Sequence, residues 1–214
     1  MSKIDDYIWE KAILDTDFAL KMEKIRKIDA IEMYIPKLVG HLYIHRYVYD
    51  NEILVPKRAK DQIDNLISNG FATIVDAETI KKESPLKSLL YQQTIHLLEK
   101  SDPETKENGK NWGETVSASY AHIQSIPHIL SDEGSFQGFL DEHINSNSAN
   151  GITVVRIRDF ILGMKEKKMK RRDAYAIWYL ANEDKSDPKK LERAKIIFHE
   201  DLWPKVVEPV IEET

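Results

Sequence analysis

Short apolar runs that alternate with amphipathic segments are the feature that most constrains the fold of this chain. The intervening segments, such as DFALKMEKIRKIDAIE at 17–32, place apolar residues at helical spacing. Because strands that alternate with helices are typical of an α/β domain, we predict a mainly parallel central sheet flanked by helices. The apolar runs that indicate strands are EKAILD (10–15), FATIVD (71–76), HILSD (128–132) and ITVVRI (152–157).

The region between the first two of these runs is the hardest to assign. A closing proline suggests that MYIP (33–36) is a short strand, and KLVGHLYIHRYVYD (37–50) has an apolar stripe that predicts a helix. Two histidines of that predicted helix, His41 and His45, lie four residues apart, which is the spacing of a metal-ligand pair, but without a third ligand nearby a surface or packing role is favoured. Further helices are predicted to begin near Pro56, Pro85 and Glu114.

The chain divides into two parts by pattern. Residues 1–160 contain the strand-like runs and form the predicted α/β domain, whereas residues 161–214 contain only helical patterns and form a C-terminal extension. The extension carries Tyr175, Ile177 and Trp178, and such apolar side chains must be covered. We expect these helices to pack on the domain or on a partner.

Composition excludes several classes of protein. No stretch has the long uncharged apolar run of a membrane span, and with no cysteine the chain has neither disulfides nor a cysteine-based zinc site. Acids precede the first apolar run, unlike a secretory signal, so we expect a cytoplasmic protein. The formal net charge of -5 does not predict strong non-specific nucleic-acid binding. Positive charge concentrates in KEKKMKRR (165–172), either a solvated helix face or a phosphate-contacting patch.

Acidic residues follow two of the predicted strands. Asp15 ends the first run, and Asp132 with Glu133 ends the run at 128–132, while Glu114 begins the helix between. Ligands of parallel α/β sheets bind beyond the carboxyl ends of the strands, so we expect these carboxylates to converge there. Like charges so close favour a divalent cation such as Mg²⁺ or Mn²⁺, the metals of phosphodiester hydrolysis. The alternative is that each acid caps or flanks a helix N-terminus.

The order of four short motifs resembles that of PIN-like domains. The motifs are ILDTD after the first strand, then IPKLVGHL, then GETVSASYA, then PHILSDE at the end of a later strand. The resemblance covers roughly residues 10–160. It implies a ribonuclease dependent on Mg²⁺ or Mn²⁺, with RNA as substrate. Many such proteins are toxins of bacterial toxin–antitoxin pairs, so it also implies a possible antitoxin or other protein partner, or a homodimer.

The resemblance also implies roles for individual residues. Asp15, Glu114 and Asp132 would be the catalytic, metal-binding acids, with Asp17 and Glu133 as auxiliary carboxylates. His41 departs from the pattern because it stands where a Glu is usual, and a neutral imidazole suits Mg²⁺ poorly. The basic residues expected to position the RNA backbone are Lys170, Arg171 and Arg172.

Two other functions fit the same residues. ILDTDFA resembles the nucleophile motif of haloacid-dehalogenase-like phosphatases, in which Asp15 would form the phosphoaspartate and Asp17 would act as acid and base, with Asp132 and Glu133 as the downstream pair. Alternatively, a PIN-like domain that has lost the reaction would serve as a binding module. A binding module would tolerate the loss of Asp15, whereas either enzyme would not.

Overall fold

The computed structural model of the protein describes residues 6–54, 56–102, 105, 109–147, 151–184 and 186–204. Within them, five parallel strands form one sheet in the order β3-β2-β1-β4-β5, with helices on both faces, so the predicted α/β class with a mainly parallel sheet is confirmed. The strands are β1 (Trp9–Leu14), β2 (Val39–His45), β3 (Ala72–Val75), β4 (His128–Leu130) and β5 (Thr153–Val155).

The helices connect and follow these strands. They are α1 (Thr16–Glu23), α2 (Ala30–Leu38), α3 (Lys57–Ser68), α4 (Ala77–Glu83), α5 (Pro85–Ser101), α6 (Trp112–Ile123), α7 (Phe136–His143), α8 (Ile157–Glu166), α9 (Arg171–Ala181) and α10 (Pro188–Ile197). Two π-helical turns, Val48–Glu52 and Phe198–Leu202, follow β2 and α10. In the described part of the chain, each helix is too short or too polar to cross a bilayer.

The assignment of residues 33–50 from sequence was wrong. The structure continues helix α2 through Pro36 to Leu38, and the predicted helix is instead strand β2 followed by the π-helical turn. Residues such as Leu38 and Leu42 fit either period, and pairing of β2 with β1 on one side and β3 on the other decides for the strand. His41 and His45 are therefore four residues apart along a strand, roughly 13 Å at the usual rise, and do not form a metal-ligand pair.

Each face of the sheet packs on its own hydrophobic core. Alternate residues of β1 point to opposite faces, so Ala12 and Leu14 enter one core and Ile13 enters the other. The first core includes side chains from α1, α2, α3, α8 and α9, and the second includes side chains from α5, α6 and α7. Strand β1 lies between β2 and β4 at the centre of the sheet. Asp15, the residue that follows β1, is therefore buried.

The C-terminal helices belong to the first core. Phe160 of α8 stacks on Trp9 with ring centroids 6.1 Å apart and meets Phe18 of α1 edge-on at 5.4 Å. Trp178 of α9 is buried, and its indole N–H donates to the carbonyl of Ala194 at 2.7 Å. Buried apolar residues of the extension, among them Ile177 and Trp178, thus share the first core with the α/β domain.

A buried histidine at the end of β2 links the strand to α5. The backbone N–H of Tyr47 donates to Nδ1 of His45 at 3.2 Å, so the neutral ring carries its proton on Nε2, which lies 3.0 Å from the hydroxyl of Tyr91. Burial lowers the pKa of His45 to about 4, with the positive charge of Arg46 acting in the same sense and Asp76 opposing it.

The depressed pKa of His45 predicts a loss of stability in acid. In the unfolded chain this group takes up a proton near pH 6.5, whereas the folded protein resists protonation down to about pH 4. The unfolded state therefore binds more protons between these values, and we expect His45 to make the free energy of unfolding fall by about 3 kcal/mol as pH drops through this window. Urea unfolding of wild type and His45→Gln across the window measures the difference in slope.

His96→Gln is the matched control, because His96 is exposed on the same helix that carries Tyr91. It should leave the pH slope of the wild type unchanged. If the free energy of unfolding changed equally with pH in His45→Gln and wild type, His45 would not be the source of this pH dependence.

Candidate active site

Asp15 occupies the position directly after the central strand. The residue is 2% exposed, and its backbone N–H donates to the carbonyl of Leu130 at 3.0 Å, which ties it to β4. Although Asp15 precedes α1 in an extended conformation, its side chain makes no capping hydrogen bond to that helix. Helix capping therefore does not account for this buried acid.

Five carboxyl groups near this end of the sheet are linked by electrostatic interactions, and we name them the acidic cluster. Burial raises the pKa of Asp15 well above its ordinary value, and the negative charges of Glu114 and Asp17 raise it further, while hydrogen bonds with the Ser131 side chain and the Thr16 backbone act in the opposite sense. Burial likewise raises the pKa of Glu114, together with the charges of Glu52, Asp17 and Glu133. The acidic cluster consists of Asp15, Asp17, Glu52, Glu114 and Glu133.

Two acids of the acidic cluster, Asp15 and Glu114, lack a cationic partner in the described part of the chain. Among the described residues, no lysine or arginine forms an ion pair with Asp15 or Glu114. Two buried carboxyl groups beside like charges are costly unless they are protonated or meet a cation. The cluster is thus an electrostatically unfavourable arrangement that the fold maintains.

Asp76 offers a contrast at the end of a neighbouring strand. It follows β3 as Asp15 follows β1, but Arg46 lies 2.6 Å from its carboxylate, and the backbone N–H and hydroxyl of Thr79 donate to it at 2.8 and 2.9 Å. Burial alone would raise the pKa of Asp76, but the hydrogen bonds from Arg46 and Thr79 lower it to about 2. Asp76 is therefore a helix cap with a cationic partner, which Asp15 lacks.

The sequence predicts Asp132 as a metal ligand. In the structure its carboxylate instead contacts basic side chains and a backbone N–H. Lys21 lies 2.8 Å from one oxygen, and the backbone N–H of Ile157 donates to the other at 3.1 Å, with Arg156 at 3.7 Å. Burial would lower the pKa of Lys21, but the hydrogen bond and charge of Asp132, with Asp17, raise it. Asp132 thus joins the end of β4 to α1 and to the N-terminus of α8.

Asp17 connects this ion pair to the acidic cluster. Both of its carboxylate oxygens accept the backbone N–H of Asp132 at 3.1 Å, and Ser131 donates to it at 3.3 Å. Lys21 approaches the same carboxylate at 3.4 Å. The hydroxyl of Ser131 and the backbone N–H of Asp132 therefore fix Asp17 at the end of β4.

Glu52 is the member of the cluster that sequence reasoning missed. It ends the π-helical turn after β2, and the hydroxyl of Thr16 donates to its carboxylate. A Cβ atom added to Gly113 in the first turn of α6 would lie 2.5 Å from both carboxylate oxygens of Glu52, so glycine makes room for this acid. The local sequence gave no signal for Glu52, because residues 39–45 fit a helical as well as an extended period and only pairing with β1 and β3 makes them a strand.

Other residues singled out from the sequence lie apart from the cluster. His41 is in the first half of β2, where its Nε2 lies 2.9 Å from the hydroxyl of Thr73 and its ring packs edge-on against Tyr43. Arg171 donates to the carbonyl of Trp203 at 3.1 and 2.9 Å and contacts His199, while Arg172 is exposed beside Asp173. Lys170 immediately precedes α9. The structure brings neither His41 nor these basic residues into the acidic cluster.

Carboxylate oxygens are the ligands that hard divalent cations prefer, and the acidic cluster offers only such donors. As the side chains stand, no three acidic or histidine residues of the described chain are grouped closely enough to ligate one metal ion. Binding of a cation would thus require the carboxylates to draw together.

Comparison of the chain with protein-family profiles, with curated proteins and with solved structures gave no match. The arguments about function therefore depend on the residues of the site.

Proposed function

We propose that this chain is a divalent-metal-dependent ribonuclease with a PIN-like domain, and that the acidic cluster is its active site. The observation that carries the proposal is the buried Asp15, which has no cationic partner and whose pKa is raised by burial, by Glu114 and by Asp17. Maintaining such a group costs stability, and a cation that neutralises several carboxylates at once supplies the missing partner. A buried carboxyl group with a perturbed pKa is expected at a ligand-binding or catalytic site.

The residues present fit Mg²⁺ or Mn²⁺ by their chemistry, because every donor in the cluster is a carboxylate oxygen. Asp15, Asp17 and Glu114 would hold the metal, with Glu52 and Glu133 as further carboxylates. The metal would supply an activated water and charge stabilisation at a phosphodiester. In this proposal Asp132 is a positioning residue, because its backbone N–H holds Asp17 and its carboxylate is paired with Lys21.

Cations for the RNA backbone also lie beside the cluster. Lys21 contacts Asp17, and Arg156 contacts Asp132, with exposed fractions of 27% and 45% for the two basic side chains. These two residues are better placed than Arg171, which is bound to the carbonyl of Trp203, to meet phosphates that enter the site.

The surroundings of Asp17 do not favour the acid and base role that the phosphatase alternative assigns to it. An acid and base must exchange protons with the substrate, yet both oxygens of Asp17 accept the N–H of Asp132. The binding-module alternative predicts no reaction at all. Both alternatives are outcomes of the same experiment.

That experiment is titration of the protein with Mn²⁺ and Mg²⁺ by calorimetry, followed by incubation with RNA and with a phosphate monoester under the same ions. We expect metal binding and RNA cleavage by wild type, and neither by Asp15→Asn combined with Glu114→Gln. Hydrolysis of the monoester without RNA cleavage would favour the phosphatase, and an absence of metal binding together with inactivity on both substrates would favour the binding module.

The contact between Gly113 and Glu52 supports a finer prediction. Gly113→Ala places a methyl group against the Glu52 carboxylate and displaces it, so we expect Mn²⁺ affinity to fall about 10-fold. Gly138→Ala in α7 is the matched control, since its added Cβ meets nothing within 4 Å. It should leave Mn²⁺ affinity unchanged and stabilise the helix by about 0.5–1 kcal/mol, as alanine normally does. Equal Mn²⁺ affinities in the two variants would exclude Glu52 from the metal site.

A further inference from the structure

A cavity of about 510 Å³ opens directly beside the acidic cluster. Glu114 and Glu133 belong both to its lining and to the cluster, so a molecule in the cavity lies next to the proposed reaction centre. This volume is within the range of pockets that hold small organic ligands. Its other lining residues used below are Asp102, Thr105, Asn111, Phe136 and Phe139.

One wall of the cavity is aromatic and rigid. Phe136 and Phe139 both come from α7, with Phe136 buried and Phe139 partly exposed. The ring of His143 packs edge-on against Phe139 at a centroid distance of 4.8 Å and an interplanar angle of 61°. His143 therefore holds the Phe139 ring in place, and a ligand that stacks on this ring loses little side-chain freedom.

Another part of the lining is polar and preorganised. Asp102 accepts hydrogen bonds from the side chains of Thr105 and Asn111 at 2.8 and 2.7 Å. Asn111 adopts a left-handed backbone conformation with φ of 58° before α6, and its side chain does not cap that helix. The Asn111 amide is thereby fixed at the cavity with its carbonyl oxygen able to accept a hydrogen bond from a ligand.

The charge of the lining selects what can enter. Three acids, Asp102, Glu114 and Glu133, line the cavity with one lysine, Lys110, so the lining carries net negative charge. This charge disfavours phosphate groups, whereas a nucleobase is neutral, planar and able both to stack and to hydrogen bond. A lining that combines aromatic rings with hydrogen-bonding side chains suits such a ligand. A base inside a duplex is stacked and paired on both sides and cannot reach the cavity without being extruded.

We propose that this cavity binds one unpaired nucleobase of the RNA next to the phosphodiester at the acidic cluster, with the base stacked on Phe139. The inference rests on the proposed function, and it defines the substrate as single-stranded RNA. Asn111 then contacts the edge of the base, while Lys21 and Arg156 meet the backbone outside the cavity.

The test measures RNA binding separately from cleavage. A labelled single-stranded RNA and the same RNA in a duplex are titrated with protein in Ca²⁺, which takes the place of the reactive metal, and fluorescence anisotropy gives the dissociation constants. The proteins are wild type, Phe139→Leu, which keeps an apolar side chain without the π-face, and Phe139→Trp, which restores one. Tyr179→Leu, an aromatic substitution on α9, is the matched control.

We expect Phe139→Leu to bind single-stranded RNA about 10-fold more weakly than wild type, and Phe139→Trp and Tyr179→Leu to bind within about threefold of it. We also expect the duplex to bind at least about 10-fold more weakly than the single strand. Wild-type affinity in Phe139→Leu, equal binding of duplex and single strand, or no binding of single strands would each overturn the base site.

Cleavage in Mn²⁺ separates this proposal from the ribonuclease itself. Binding that depends on Phe139 without cleavage would retain the base site and reject the ribonuclease. If wild type and Phe139→Leu cleaved RNA at the same rate and bound single-stranded RNA with the same affinity, the ribonuclease proposal would stand and the base site would be rejected.

Discussion

Asp15→Asn is expected to abolish RNA cleavage and at the same time to make the protein more stable at neutral pH. Cleavage should fall on the order of 10³-fold, because under the proposed function the substitution removes the central carboxylate that would bind the metal. The free energy of unfolding should rise by about 1–3 kcal/mol, because an uncharged amide avoids the desolvation and repulsion that the carboxylate meets. Opposite effects on activity and stability are characteristic of a functional group that the fold tolerates.

The sign of the stability effect follows from the raised pKa. The folded protein holds a proton on Asp15 more tightly than the unfolded chain does, so protonation favours the folded state below the ordinary value of 3.8. This contribution is lost as pH rises from that value through the raised pKa of the folded state. The amide of the variant does not titrate, so the advantage of Asp15→Asn over wild type should appear as pH rises through that window and be absent in acid.

Asp76→Asn is the control with the opposite sign. It removes the negative partner of Arg46 from a carboxyl group whose pKa is already lowered to about 2. We expect it to destabilise the fold by about 1–2 kcal/mol at neutral pH and to leave Mn²⁺ binding intact. Urea unfolding at several pH values, with and without Mn²⁺, measures both variants.

Mn²⁺ adds a second readout to these curves. A cation that binds the folded state alone stabilises it in proportion to the logarithm of its concentration, so wild type should gain stability in Mn²⁺ and Asp15→Asn should not. If Asp15→Asn were instead less stable than wild type at every pH, the hydrogen bonds of Asp15 with Ser131 and Thr16 would outweigh the cost of its burial, and the cluster would lose its main support.

Trp178→Ala is expected to have the largest effect on stability of any single change considered. The side chain is 8% exposed, lies in the core that α9 shares with the sheet, and donates its indole N–H to Ala194 at 2.7 Å. Truncation leaves a cavity and an unsatisfied carbonyl, which together should cost about 3–5 kcal/mol. Such a loss is a large fraction of the stability of an ordinary domain, so the effect should extend to strands remote from α9.

Ile196→Ala is the matched control, because Ile196 is a large apolar residue of α10 that is 55% exposed. Its truncation should change the free energy of unfolding by no more than about 0.5 kcal/mol. Urea unfolding followed by circular dichroism compares the two variants. A Trp178→Ala effect as small as that of Ile196→Ala would show that the C-terminal helices are not energetically part of the domain core.

Local sequence was sufficient for most elements of the fold. The runs at 10–15, 71–76, 128–132 and 152–157 contain most or all of strands β1, β3, β4 and β5, because each is a short apolar run bounded by polar or turn residues. Strand β2 escaped detection because Leu38 and Leu42 satisfy a helical and an extended spacing equally. Only its pairing with β1 and β3 selects the strand.

The same distinction applies to the site. From the sequence by itself came the prediction that Asp15, Asp132, Glu133 and Glu114 converge. Its reason is that Asp15, Asp132 and Glu133 follow strands whose carboxyl ends meet at one edge of a parallel sheet. Tertiary structure alone decided that Asp132 pairs with Lys21 and that Glu52 joins the cluster beside Gly113. The positions of strands follow from local hydrophobic pattern, but which carboxylate meets a cation depends on side chains far apart in the chain, such as Lys21 and Asp132.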